Sequence, residues 1–396
     1  MHIPPEILAV ENYAIQIRRR LHERPELSFK EEDTARIIEA ELTSMGLQPR
    51  RVAKTGVIAD VSSREWKTPN DGKTVAVRAD MDALPVLEET GLEFASKNSG
   101  VMHACGHDAH VAMALGLAKV LTGSNPPPHG RVRFLFQPAE ESPPGGALEL
   151  IKSGALEGVD YVIGQHVYSN FPVGQAAIYY GPMMANADSF RLKVIGKGGH
   201  GSEPHRALDA LVVASQIVVA AQTIVSRRID PLKPAVITFG TFNSGYRHNI
   251  IAQYAELTGT VRTLDEETRD KIEKELTSLI SGLCNTAGVR HEFVYERGYP
   301  VLVNNPVVAR VVEDATREAL GESGVLHPEP VMGAEDFGYY ITKTPGAFYF
   351  LGVRNEEKGI ISPQHSPSYT IDEDALKFGM AILYGSTRRL LGGTAL

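Results

Sequence analysis

Apolar positions recur at three- and four-residue spacing over residues 8–21 and again over 31–46, and the second stretch closes on Gly46. This periodicity predicts two amphipathic helices, the second ending on the residue type that most often stops one. Short apolar runs follow at 56–61 (GVIADV), 73–82 (KTVAVRADMD), 131–138 (RVRFLFQP) and 160–167 (DYVIGQHV), with a helical stretch, HVAMALGLAKVL, at 110–121. Apolar runs of this length separated by helices read as strands of a largely parallel sheet covered on both faces.

Beyond residue 183 the pattern changes. SFRLKVIG at 189–196 alternates in the manner of a half-exposed strand, 207–225 is a long helical stretch, and 235–242 and 254–264 read as strands. Residues 265–284 open with acidic side chains and set Ile272, Leu276, Leu279 and Leu283 on one face, as an amphipathic helix with a favourable first turn does. VRHEFVYERGY at 289–299 closes the block as a strand. The order βαββαβ is that of a ferredoxin-like sandwich. From about residue 300 the α/β texture returns. The predicted fold class is α/β: a mixed, largely parallel sheet domain (1–183 plus 299–396) interrupted by an inserted ferredoxin-like α+β domain (184–298).

Length and composition agree with this division. A chain of 396 residues exceeds the size at which one core usually stops growing. Hydrophobic content of 43% and charged content of 22% are ordinary for a globular protein. A net charge of −8 with no basic stripe argues against a nucleic-acid partner. The opening residues lack the order of basic segment, apolar segment and small-residue cleavage site that marks a secretion leader. No apolar run is read as approaching the about 18 residues that span a bilayer, so a cytoplasmic protein without a membrane partner is expected. In a reducing compartment the 2 cysteines, Cys105 and Cys284, are not expected to pair.

The candidate chemistry begins with VMHACGHDAH at 101–110, which packs three histidines, one of the two cysteines and an aspartate into ten positions. Glu140 and Glu141 follow Pro138 just past the end of the 131–138 strand, His166 lies on the 160–167 strand, and His365 sits in the loop SPQHSPSY. Open α/β sheets place ligands at the carboxyl ends of their strands, where these segments converge. A hydrolytic metal site needs a carboxylate ligand and a second, unligated carboxylate to take a proton from water, and adjacent glutamates in a bent segment can divide those roles. Taken singly, the glutamates read as a solvated corner, His166 as a core histidine, His365 as a loop residue and Cys105 as a small buried hydrophobe. Jointly, their placement at loop and strand-end positions of the interrupted domain favours a metal.

RRRLHERPELSFKE at 18–31, RADMDALP at 78–85, HACGHDAH, FQPAEE, GQHV, GKGGHGSEPH at 196–205 and GAEDF at 333–337 together resemble the M20 metallopeptidase family. Within it they are most similar to the aminoacylase, hippurate hydrolase and indoleacetyl-amino-acid hydrolase branch. The resemblance covers nearly the whole chain in matching order. It implies two divalent metal ions held by Cys105, His107, Glu141, His166 and His365, with Glu140 as catalytic base. Many relatives carry a His-x-Asp motif where this chain has Asp80 and Asp82, and a bridging aspartate where it has Cys105. A thiolate branch is thus indicated, with Asp82 orienting a ligand rather than binding metal. A bridging thiolate suits zinc best, with manganese, cobalt or nickel as alternatives.

By the same resemblance the inserted domain serves as lid and dimerisation surface, giving a dimer or tetramer. His200 would stabilise the tetrahedral oxyanion, often across the dimer, and Asn249 and Arg262 would hold the substrate carboxylate. The implied activity is hydrolysis of the amide bond of N-acyl-L-amino acids, with acetyl, benzoyl, indoleacetyl, aminobenzoyl or aminoacyl as the acyl group. A dipeptidase or carboxypeptidase of the same fold is the first alternative, and a catalytically silent metal-binding module the second.

Overall fold

Every residue of strands Thr74–Asp80 and Arg131–Gln137 is buried, which is what unbroken apolar runs in a parallel sheet require. In the computed structural model, which describes residues 2–62, 72–124 and 129–392, these strands form the middle of an eight-stranded sheet. Its order is Arg50–Val52, Gly56–Ser62, Arg131–Gln137, Thr74–Asp80, Tyr161–Pro172, Gly346–Arg354, Ala176–Ala177, Val325–Leu326. The central four strands run parallel, and antiparallel pairings flank them on either side. Helices Pro5–His22, Glu32–Ser44, His107–Gly123, Pro306–Leu320 and Asp374–Leu390 join the sheet in one core around Leu21, Met113, Phe134, Ile163, Leu351 and Ile382.

The chain divides into two compact units. The first takes the chain up to Gly181 with Val303–Glu329 and everything from Asp336; the second takes Pro182–Leu302 with Pro330–Glu335. The segment Pro330–Glu335, like residues 182–183 and 299–302, falls in the second unit, whereas the sequence reading put it in the first domain. Its backbone is tied to the start of the second unit: Val331 N–H donates to Met183 O at 2.9 Å and Ala185 N–H to Gly333 O at 2.8 Å.

In the second unit the strand order Ala235–Ser244, Tyr254–Thr263, Asp188–Ile195, Arg290–Glu296 is fully antiparallel and is the ferredoxin-like arrangement. Buried positions alternate along Asp188–Ile195 because helices cover only one face of this sheet. A separate core of Phe190, Leu192, Val213, Ile217, Leu257, Ile272 and Leu276 fills the space between sheet and helices.

Helix Ala210–Arg228 starts three residues later than its apolar pattern. The carboxylate of Asp209 caps it, accepting the N–H groups of Leu211 at 3.0 Å and Val212 at 3.2 Å. This helix also corrects the expectation about apolar runs, since its 19 residues are long and apolar enough to cross a bilayer by length and composition. Ala210, Val213, Ala214, Ile217, Ala221 and Ile224 form its buried stripe, while Leu211, Val212 and Val219 are exposed. Cys105 and Cys284 are both free thiols.

Candidate metal centre

Three parallel strands of the first unit deliver donor groups to one region. Thr74–Asp80 ends in Asp80 and leads to Asp82; Arg131–Gln137 leads through Pro138 and Ala139 to Glu140 and Glu141; Tyr161–Pro172 carries His166, opposite Phe350 of the next strand. Gly106, in the left-handed region at φ 90°, turns the chain from Cys105 into the helix that His107 begins. A β-carbon at Gly106 would approach the Val167 side chain to 2.3 Å, so the turn also depends on the missing side chain. His365 has φ 65°, and its N–H donates to Ala104 O at 2.8 Å, which pins this loop beside Cys105.

The donor atoms meet around one sulfur. Cys105 Sγ lies 3.4 Å from His166 Nε2 and 3.4 Å from His365 Nε2. Glu141 Oε1 is 3.4 Å from His365 Nε2 and 3.9 Å from His107 Nε2. Cys105, His107 and His166 form one group whose ligand atoms all lie within 4.8 Å of one another, and Cys105, Glu141 and His365 form a second; the two share the sulfur. Glu140 forms a third such group with His107 and Glu141. The structure thus brings together six of the residues picked out in the sequence.

The tautomers follow from the partners. His166 Nδ1–H donates to Val167 O at 2.7 Å, which leaves Nε2 as a lone pair toward the sulfur. His107 Nδ1 faces Asp82 Oδ1 at 3.2 Å, leaving Nε2 likewise free. Both His107 Nε2 and Glu141 Oε1 are buried without a hydrogen-bond partner among the described residues. Buried polar atoms are rarely left so unless an ion or water completes them.

The electrostatics of the cluster are those of a cation site. Burial alone would depress His107, but Asp80, Asp82 and Glu141 outweigh it and push its pKa up to about 10. Burial raises the Cys105 thiol well above its usual range, and Glu141, Glu140 and Asp80 add to the rise. A thiol, three imidazoles and the carboxylates of Glu140 and Glu141 are crowded together there. Divalent ions fit that donor set.

A layer behind the donors was not singled out from the sequence. His110 Nε2 accepts Val167 N–H at 2.9 Å, so its Nδ1–H is the donor to Asp80. Arg78 pairs with Asp80 at 2.8 Å and with Asp336 at 2.9 Å, and Gln137 also binds Asp336. The visible signals were the spacing of His107 and His110, one helical turn apart, and the aspartate of GAEDF.

The remaining site candidates lie in the second unit. His200 pairs with Ile250 in a two-stranded ladder, and Gly201 N–H donates to Asn249 O at 2.9 Å, so His200 and Asn249 are neighbours. Ser202 N–H points at His200 Nδ1 at 3.2 Å, which puts the ring proton on Nε2. Arg262, on strand Tyr254–Thr263, directs a guanidinium nitrogen to Asn186 O at 3.5 Å.

The sequence matches the pattern of peptidase family M20/M25/M40 over residues 76–389. It is 44% identical over 378 residues to Thermostable carboxypeptidase 1 of Saccharolobus solfataricus, with 94% of each chain covered. It is 46% identical over 296 residues to an N-acyl-L-amino acid amidohydrolase of Geobacillus stearothermophilus, covering 74% of this chain and 79% of that one. The crystal structure of the Bacillus subtilis YXEP protein, described as a dinuclear metal binding peptidase from the M20 family, superimposes with a TM-score of 0.85 at 34% identity, over 98% of this chain and 100% of that one. Matched along most of its length in both sequence and fold, the chain belongs to the M20/M25/M40 family of peptidases.

Proposed function

We propose that the protein is a metal-dependent amidohydrolase that splits N-acyl-L-amino acids into a carboxylic acid and a free amino acid. The observation that carries this reading is the pair of three-donor groups sharing Cys105 Sγ, with Glu140 alongside. His107 and His166 would complete one position and Glu141 and His365 the other, with zinc as the ion best suited to a shared thiolate. Divalent ions held there supply Lewis acidity toward the amide carbonyl and lower the pKa of water.

The chain's own groups do the rest. Glu140 takes the proton from the attacking water and returns it to the leaving amine. Asp82 keeps the proton of His107 on Nδ1 and orients the glutamate pair. His200, with its proton on Nε2, is a donor suited to the developing oxyanion, and Asn249 beside it and Arg262 are suited to the substrate carboxylate. The exposed Leu211, Val212 and Val219 of helix Ala210–Arg228, beside an edge strand at Ala235–Ser244, support association through this unit into a homodimer or higher oligomer.

The likeness to a carboxypeptidase supports a second reading, removal of C-terminal residues from peptides. A panel of N-acetyl, N-benzoyl and N-indoleacetyl amino acids, run beside dipeptides and longer peptides with detection of the released amine, separates the two. Amine release from the acyl amino acids in preference to the peptides is expected; release from the peptides alone would replace the first reading with the second.

A further inference from the structure

The stretch RRRLHERPELSFKE contributes nothing to the donor cluster itself, yet its last glutamate in the buried region reaches the segment that does. Glu31 is fully buried at the start of helix Glu32–Ser44. Its Oε1 accepts Ala139 N–H at 2.9 Å and Phe29 N–H at 2.9 Å, and its Oε2 accepts the Thr55 hydroxyl at 2.6 Å. Ala139 sits at φ 54°, a left-handed conformation that a β-carbon disfavours. The next two amides, of Glu140 and Glu141, both donate to Asp82 at 3.1 Å. Three successive N–H groups are therefore gripped by two buried carboxyl groups, and Ser28 Oγ in turn donates to Asp82 at 2.7 Å.

We propose that Glu31 is a positioning residue: by accepting the Ala139 amide it holds the left-handed turn that aims Glu140 and Glu141. The inference rests on the roles proposed above for those two glutamates. Without the acceptor, a buried N–H loses its partner and the strained turn loses the contact that opposes its relaxation. Burial lifts the Glu31 carboxyl to about 7, against hydrogen bonds that pull it down. The protonated group can still accept both amides at Oε1 while donating from Oε2 to Thr55. A glutamine at this position offers the same acceptor and a donor in the same place, so it is the conservative rescue.

The test compares Glu31→Leu, Glu31→Asp and Glu31→Gln with the wild type by hydrogen exchange of the metal-free chain, zinc titration, and kinetics on an N-acetyl amino acid. Leu removes the acceptor, and Asp, one methylene shorter, withdraws it while staying polar should Leu fail to fold. For either, exchange at Ala139–Glu141 is expected to accelerate about tenfold or more, the scale of one lost buried hydrogen bond, with strand Arg131–Gln137 unchanged. Zinc affinity or kcat is expected to fall about 10- to 100-fold, with KM moved far less, and Gln is expected to recover most of both. Unaltered exchange at Ala139–Glu141 in a folded Leu or Asp variant overturns the proposal, as does a Gln variant as impaired as Leu. A wild type that hydrolyses no N-acyl amino acid counts against the proposed activity alone, because exchange and zinc titration still decide the role of Glu31.

Discussion

Asp82 Oδ1 stands 3.2 Å from His107 Nδ1, with both side chains buried, and the same carboxylate accepts the amides of Glu140 and Glu141. One side chain thereby sets the tautomer of one donor and the backbone of two others. Asp82→Asn replaces an acceptor-only group with one that must aim a donor NH2 at one of these partners. Metal affinity or activity is expected to drop about 10- to 100-fold, the usual cost of losing the partner behind a metal-binding histidine. Zinc titration of the metal-free variant beside its steady-state kinetics measures this; wild-type affinity together with wild-type kcat would detach Asp82 from the site.

Cys105 is the atom that both donor groups share. Cys105→Ser puts in its place a hydroxyl that stays protonated near neutral pH unless the metals ionise it. Elemental analysis of the purified variant is expected to find less metal per chain than in the wild type. Equal metal content would point to a donor set without this sulfur.

His200→Ala is expected to leave folding and metal content intact while kcat falls about 10²- to 10³-fold, the loss associated with one oxyanion donor. Glu140→Gln should likewise keep its metal and lose at least about 100-fold in kcat. If the imidazole serves the partner subunit, mixing the two inactive variants under conditions of subunit exchange restores part of the activity. No recovery after demonstrated exchange would confine His200 to its own chain or remove it from the reaction.

Glu31 makes the stability of the fold depend on pH. Burial raises its carboxyl to about 7, from an ordinary value of 4.5, so the native state binds this proton more tightly than the unfolded chain. Its contribution is complete below pH 4.5 and is lost as the pH rises through about 7. Glu31→Gln has no proton to lose. Between pH 5 and 8 its unfolding free energy in urea is expected to gain on the wild type, by at most about 3 kcal/mol at 1.36 kcal/mol per unit. Parallel pH profiles would contradict this.

Much of this architecture is legible in the sequence, for identifiable reasons. The strands Thr74–Asp80 and Arg131–Gln137 are buried along their whole length, so they appear as unbroken apolar runs. Glu140 and Glu141 follow Arg131–Gln137 closely, while Cys105, His107 and His365 lie in loops or at a helix start, where residue type rather than periodicity marks them. Boundaries set by one cap are harder: the apolar pattern carries the long helix back to Ala207, and only the hydrogen bonds of Asp209 show where it starts. The ladder joining His200 to Ile250 is two residues long, too short for any periodicity to reveal. The layer behind the donors depends on partners distant in sequence, as with Asp80 and His110, 30 positions apart, or Glu31 and Ala139, 108 apart. Taken alone, Asp80, His110 and Glu31 look like ordinary polar side chains and Ala139 like an ordinary apolar one.

On the proposed function, two divalent ions held through Cys105 are required for Glu140 to drive hydrolysis of an N-acyl amino acid. The most direct measurement is amine release from an N-acetyl amino acid as zinc is added stepwise to chelator-stripped protein, with Glu140→Gln run in parallel. Activity is expected to be absent without metal, to rise until two equivalents are bound and then level off, while Glu140→Gln binds the same two equivalents and stays inactive. Hydrolysis that survives complete metal removal, or a fully loaded wild type that releases no amine from any N-acyl amino acid, would contradict it.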